Sequence, residues 1–165
     1  MIQDLFSMTA KVCLITGGSS GLGSYMAQGF LEAGAERVFI TGRSKDKLFK
    51  KADELSALGK GQCIGIPGDL SNLEGVQVLA DTISERESHL DVLVNNAGLG
   101  LGTQIQTMTA EAWDKSMDLN TRSPLFLTQA LLDLLKAKAT LDDPSRIIFI
   151  SSVAASGVLP SVLAY

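Results

Sequence analysis

Short, nearly unbroken apolar runs alternate along this chain with longer stretches in which apolar residues recur every third or fourth position. The short runs are Lys11–Thr16, Arg37–Thr41, Gln62–Pro67, Asp91–Asn95 and Arg146–Ser151, with middles such as V-C-L-I, V-F-I, V-L-V and I-I-F-I. Apolar runs of this length without polar alternation suit strands covered on both faces of a parallel sheet. The longer stretches read as helices with legible ends. Leu22 to Ala33 stops at Gly34, and Ser44 to Leu58 stops at Gly59, each a residue that accepts the backbone needed to end a helix. S-N-L-E, Ser71 to Glu74, has the form of a capping box. A shorter helix is predicted from near Thr109 and a long one after Pro124. Leu127, Ala130, Leu131, Leu134 and Leu135 form one stripe of that long helix, while Leu125, Phe126 and Leu132 lie off it, so two faces ask for cover. Repeated strand–helix alternation predicts an α/β fold with a doubly wound parallel sheet, whose ligands bind outside the carboxyl ends of the strands.

Composition narrows this little further. The 165 residues suit one domain over 1–165, and 45% hydrophobic with 19% charged residues is an ordinary globular balance. A net charge of −4 argues against a nucleic-acid partner. Cys13 and Cys63 sit in apolar runs and read as buried thiols in a reducing compartment, with no metal site expected. No apolar run reaches membrane-spanning length and the first residues lack a signal-peptide pattern, so the expected location is cytoplasmic. His89, in E-S-H-L-D, reads as a surface turn residue, Trp113 as a packing anchor of its helix, and Met108 and Met117 as core. K-A-K-A-T-L-D-D-P-S reads as an exposed connection.

The candidate chemistry lies just after the strands. The first strand runs into T-G-G-S-S-G-L-G, Thr16 to Gly23. In such a turn Gly17 allows the sharp bend, Gly21 lets backbone approach a pyrophosphate, and Gly23 permits close packing of helix on strand. The amides opening the helix then face an anion, with the helix dipole behind them. The second strand ends in I-T-G-R: Gly42 stands where a ribose-binding carboxylate is often found, and Arg43 follows it. A missing acid removes repulsion and a guanidinium adds a fork for phosphate oxygens, so NADP(H) is expected over NAD(H). The plainer alternative is a solvated arginine ahead of the lysine-rich K-D-K-L-F-K-K. After the third strand, Asp69 either accepts from an adenine amino group or caps the turn before Ser71.

Strand four ends in N-N-A-G, Asn95 to Gly98. With the glycine turn ahead of it and D-L between, the chain resembles the short-chain dehydrogenase/reductase family, in its classical branch, from about Lys11 onward. The resemblance implies a Rossmann-like sheet of about five strands in the order 3-2-1-4-5, lacking the last strands of the full fold. It implies that Gly17, Gly21 and Gly23 line a cofactor pyrophosphate, with Ser19, Ser20 and Leu22 approaching the nucleotide. Asp69 and Leu70 would flank the adenine, and Asn96, Ala97 and Gly98 would run past the ribose. Asn120, in S-M-D-L-N-T, matches the asparagine that helps hold a relay water. Ser152, thirteen residues before Tyr165, matches the family serine, and Tyr165 the catalytic acid that begins Y-x-x-x-K.

The implied reaction is hydride transfer between a nicotinamide and a small-molecule carbonyl or alcohol. Ser152 would stabilise charge on the substrate oxygen and Tyr165 would exchange a proton with it. The sequence stops before the family lysine that lowers the phenol pKa, so little turnover is expected of the 165-residue polypeptide itself. R-I-I-F-I-S would be an apolar edge strand, from which self-association is expected. The resemblance further implies homo-oligomers of the full-length form through the helix after Pro124. The alternative reading is a non-catalytic NADP(H)-binding or regulatory fragment.

Overall fold

The computed structural model describes residues 6–58, 61–157 and 164. Strands β1 (Val12–Ile15), β2 (Arg37–Gly42), β3 (Gln62–Pro67), β4 (Val92–Asn95) and β5 (Arg146–Phe149) form one sheet in the order β3-β2-β1-β4-β5. Every pairing is parallel, with Val12 opposite Arg37, Cys13 opposite Val92 and Leu93 opposite Ile147. Helices α1 (Gly21–Glu32), α2 (Lys45–Ser56) and α3 (Leu73–Arg86) connect the first four strands. The order and the Rossmann-like winding are those expected from the sequence.

Successive side chains of a strand point to opposite faces, so each apolar strand serves two cores. Cys13, Ile15, Val38, Ile40, Val92 and Val94 pack on one face with Ala27 and Leu31 of α1 and Leu48, Ala52 and Leu55 of α2. Val12, Leu14, Phe39 and Leu93 pack on the other with Val76, Leu79, Ala80 and Ile83 of α3. Both cysteines are buried in the first core, as expected, and burial pushes each thiol up to about 12. No helix among the described residues is long and apolar enough to cross a membrane.

Gly34 ends α1 in the left-handed region at φ +101°, and the Ala35 amide behind it donates to Phe30 O at 2.9 Å. The predicted stop of the next helix at Gly59 lies outside the described residues. The cap of α3 is corrected by one residue. Asn72, not Ser71, is the N-cap and accepts from the Gly75 amide at 2.8 Å. The Ser71 amide is held instead by Asp69 Oδ1 at 3.0 Å, which draws Ser71 into the preceding turn.

The shorter helix from near Thr109 and a helix with Pro124 in its first turn are both present and join without a loop, but the expected long helix is broken at Leu131. Helix α4 (Ala110–Met117) passes through a π turn, Asp118–Arg122, into α5 (Ser123–Ala130), and α6 (Leu132–Lys136) follows a break at Leu131. Proline has no N–H, so Pro124 offers no donor to the Asn120 carbonyl four residues back. The helix widens there, and the Ser123 amide reaches back five residues to Asp118 O. Leu127, Leu131 and Leu135 bury against the sheet at four-residue spacing, while Ala130, expected in the same stripe, is exposed. Leu125, Phe126 and Leu132 are exposed, as a second apolar face predicts.

Two further expectations are overturned. His89 is buried rather than on a surface turn, because Asp91 Oδ2 at 3.4 Å and Lys138 Nζ at 3.3 Å close over its Nε2. Trp113, expected as a packing anchor, is 43% exposed, and α4 turns Ser116 fully inward. Met108 and Met117, expected in the core, are only half-buried. The stretch 137–144 is exposed as predicted, with Leu141 fully so.

Candidate active site

Thr16 closes β1 and its Oγ1 accepts from the amides of Asn96, at 3.0 Å, and Ala97, at 2.9 Å. In return, Asn96 Nδ2 donates to Thr16 O at 2.8 Å and Gly17 O at 3.2 Å. On the other side Thr41, at the end of β2, accepts from Gly17 N through Oγ1 and from Gly18 N through its carbonyl. The glycine-rich bend is thus held by both neighbouring strands. Gly17 has φ +68°, where an L side chain is strained. A Cβ on Gly23 would lie 2.5 Å from Gly17 O, so the helix approaches the bend more closely than any side chain permits.

Helix α1 begins unlike its neighbours. Its N-cap Ser20 makes no side-chain cap hydrogen bond, and its first turn carries no acid, whereas α2, α3 and α4 carry Asp46, Glu74 and Glu111 there. Open amides and an uncompensated dipole make this end receptive to an anion. Nothing lies within 4 Å of the Cβ position at Gly21, so ligand atoms have room. The cradle therefore fits a diphosphate.

Two cavities flank the bend. One of about 290 Å³ is lined by Gly17, Ser19, Ser20, Arg43, Asp69 and Leu70. The other, about 530 Å³, is lined by Leu22, Asn120, Phe149 and Ser152 among others. Asn96, Ala97, Gly98 and Leu99 line both, so the two form one cleft along the carboxyl ends of the strands. Its shape suits a ligand with two heads joined at the glycine turn. Of the predicted positions among the described residues, Gly21 and Gly23 alone are not among its lining residues. Gly23 is buried beneath the bend, as its packing role requires.

At the smaller head, a Cβ on Gly42 would meet Ser19 Oγ at 2.9 Å, so this position has little room for an acidic side chain. Arg43 is exposed beside it. Asp69 caps the turn through Ser71, and that backbone and side-chain bonding, with the nearby Arg43 charge, holds its carboxyl below the usual range. Leu70 is buried and belongs to the core as well as to the cleft wall.

At the larger head, Ser152 follows β5 and caps a short 3-10 turn, accepting from Ala154 N at 3.2 Å. Asn120 lies in the π turn. Its Oδ1 accepts from Leu99 N at 2.9 Å, and its Nδ2 donates to Leu99 O at 2.8 Å and Ser116 Oγ at 3.3 Å. Both amide protons are committed within the protein, which orients the residue rather than offering its side chain to a ligand. Tyr165 lies outside the described residues. The buried Ser116 escaped sequence reasoning; the available signal was a hydroxyl one helical turn before Asn120.

Comparison with known proteins agrees with this geometry. The short chain dehydrogenase family profile matches residues 11–165. The rhamnolipids biosynthesis 3-oxoacyl-(acyl-carrier-protein) reductase of Pseudomonas aeruginosa is 44% identical over 153 residues, covering 93% of this chain and 59% of that protein. The 2-dehydro-3-deoxy-D-gluconate 5-dehydrogenase of Escherichia coli is 34% identical over 130 residues, covering 79% of this chain and 50% of that protein. This chain thus spans half to three fifths of these two relatives. Among solved structures, the Pseudomonas aeruginosa RhlG/NADP active-site complex superposes with a TM-score of 0.91 at 42% identity, covering 97% of this chain and 62% of that one. The L-sorbose reductase of Gluconobacter frateurii complexed with NADPH and L-sorbose gives 0.88 at 27% identity, covering 96% and 59%.

Proposed function

This chain belongs to the short chain dehydrogenase family, and on that premise we propose that it carries the nucleotide site and the reacting serine and tyrosine of an NADP(H)-dependent oxidoreductase. When bound, the nicotinamide supplies or accepts the hydride exchanged with a carbonyl or secondary alcohol. The observation that carries the reading is the cleft that runs from Arg43 to Ser152 past the shared wall Asn96–Leu99, beside the glycine turn. The amides opening α1 hold the diphosphate, and Ala97 and Gly98 line the passage between the two heads. Arg43 recognises the 2′-phosphate, supported by the crowding at Gly42 that disfavours a competing carboxylate.

Ser152 donates a hydrogen bond to the substrate oxygen and steadies the charge that grows on it. Tyr165 gives that oxygen its proton. A phenol ordinarily titrates near pH 10, so donation is ready at neutral pH while abstraction needs a neighbouring positive charge. Asn120 contributes to proton relay through its backbone, whose carbonyl lacks an i+4 amide because Pro124 has none. The exposed Leu125, Phe126 and Leu132 support pairing of α5 and α6 with a second copy.

Titration of the chain with NADPH and NADH, followed by nucleotide fluorescence, tests the reading. NADPH should bind more tightly, and Arg43→Ala should weaken it about tenfold or more while leaving NADH within twofold, as loss of a charge-assisted bond requires. Equal loss for both nucleotides would remove the 2′-phosphate assignment. A second reading, a nucleotide-binding module without turnover, draws on the contrast between the well-braced turn and the open β5 edge. Sustained carbonyl reduction by the 165-residue chain would sink that alternative.

A further inference from the structure

We propose that Ser116 is a positioning residue for Tyr165, fastening the backbone beside the phenol to the turn that carries Asn120. The inference rests on the reading of Tyr165 as the proton donor. Ser116 is wholly buried on α4, and its Oγ donates to Ala164 O at 2.6 Å, across 48 residues of chain. A hydroxyl has one proton, and a helical serine ordinarily gives it to the carbonyl four residues back. Here that proton leaves the helix for the carbonyl joined directly to the nitrogen of Tyr165. The same oxygen accepts from Asn120 Nδ2 at 3.3 Å, and Asn120 grips the Leu99 backbone with its remaining amide atoms.

A run of hydrogen bonds thus links Leu99 on the cleft wall, Asn120 in the π turn, Ser116 and Ala164. It gives the phenol's neighbouring carbonyl a fixed address relative to the cleft. An apolar side chain at 116 would leave that carbonyl without this donor. Displacing a reacting group by about 1 Å can lower the rate about a hundredfold, so one such tether matters to chemistry.

The test uses the two tyrosines of this chain, Tyr25 and Tyr165. With Tyr25→Phe and fluorotyrosine incorporation, a single fluorine NMR signal reports Tyr165. In the parent it should stand apart from its position in concentrated urea. Ser116→Ala should move it to the urea position while NADPH binding, read at the distant glycine turn, changes less than twofold. Ser116→Thr, which keeps the hydroxyl, should restore the parent signal. A parent signal already at the urea position overturns the proposal. So does an unmoved signal in Ser116→Ala, or a Ser116→Thr signal as displaced as that of the alanine variant with NADPH binding intact. Assigning the proton donor is a separate matter. If Tyr165→Phe, in a longer chain that reduces the probe ethyl acetoacetate with NADPH, keeps full turnover, that assignment fails while the fluorine result still decides the tether.

Discussion

Strands β1 and β5 lie in one sheet, separated by β4, and their sequences are alike in character: V-C-L-I and R-I-I-F. Every residue of β1 is buried, whereas every residue of β5 is exposed, with Phe149 at 56%. The difference is position, not composition. β1 has a strand on each side and helices on both faces, so its apolar side chains are all met. Among the described residues β5 has β4 on one side only, and its apolar side chains stay 39–56% exposed. The half of the sheet that holds the glycine turn is therefore covered by its own core, while the β5 margin beside Ser152 carries no further strand among the described residues. Apolar patterning says that a strand is suited to cover, and neighbours decide whether it receives any.

The largest expected consequence is in stability. Phe39→Ala, on β2 inside the covered half, should lower unfolding free energy by about 3–5 kcal/mol. Phe149→Ala should cost under about 1 kcal/mol, in line with surface substitutions. Equal losses in urea melts would break the comparison. Next, Gly23→Ala places a carbon against Gly17 O and should weaken NADPH at least about tenfold, near 1.4 kcal/mol, with Ser152→Ala within twofold of the parent. A larger effect from Ser152 would put the nucleotide's grip on the wrong half. Third, Ile148→Lys should reduce self-association of the 165-residue chain in sedimentation velocity, because a charge on an edge strand discourages pairing. No change would show that this margin is not the sticky one.

Smaller still is the thiol test. Cys13 and Cys63 lie in the covered half with thiols pushed up to about 12, so at pH 8 only about one in ten thousand is thiolate. Aromatic disulfide reagents should label neither until the chain is unfolded; rapid native labelling would mean that this half opens. The least effect belongs to Asp69. Its carboxyl is held low by Ser71 and then Arg43, so its stabilisation is present above the ordinary carboxylate pKa and fades as pH falls through the folded value. Asp69→Asn should lower the melting temperature slightly at neutral pH, flatten the acid limb, and meet the parent profile once the pH is below the folded value.

The strands and the glycine bend were the legible parts. V-C-L-I, V-F-I and V-L-V announced strands, and T-G-G-S-S-G-L-G announced the bend, because local sequence and final environment agree there. The corrections fall where individual hydrogen bonds, near or far in sequence, decide. His89 sits in a polar stretch, and Asp91, two residues on, and Lys138, 49 residues on, bury it. Pro124 does stand in the first turn of α5, but the apolar pattern cannot reveal that a π turn joins that helix to α4. Asn72 displaced Ser71 as the cap because Asp69 competed for the Ser71 amide. Trp113, expected as a packing anchor, is 43% exposed, while Ser116, for which the pattern gave no signal, faces in and meets a carbonyl. No periodicity analysis weighs a single hydrogen bond across 48 residues.

Asn96 has a consequence in time. Its amide clasps the carbonyls of Thr16 and Gly17 across about eighty residues of sequence. During synthesis the first strand, bend and helix emerge long before their clasp does. The bend can acquire its finished curvature only after the fourth strand has docked, so a nascent chain released before that point should be blind to nucleotide however well its first helix has formed.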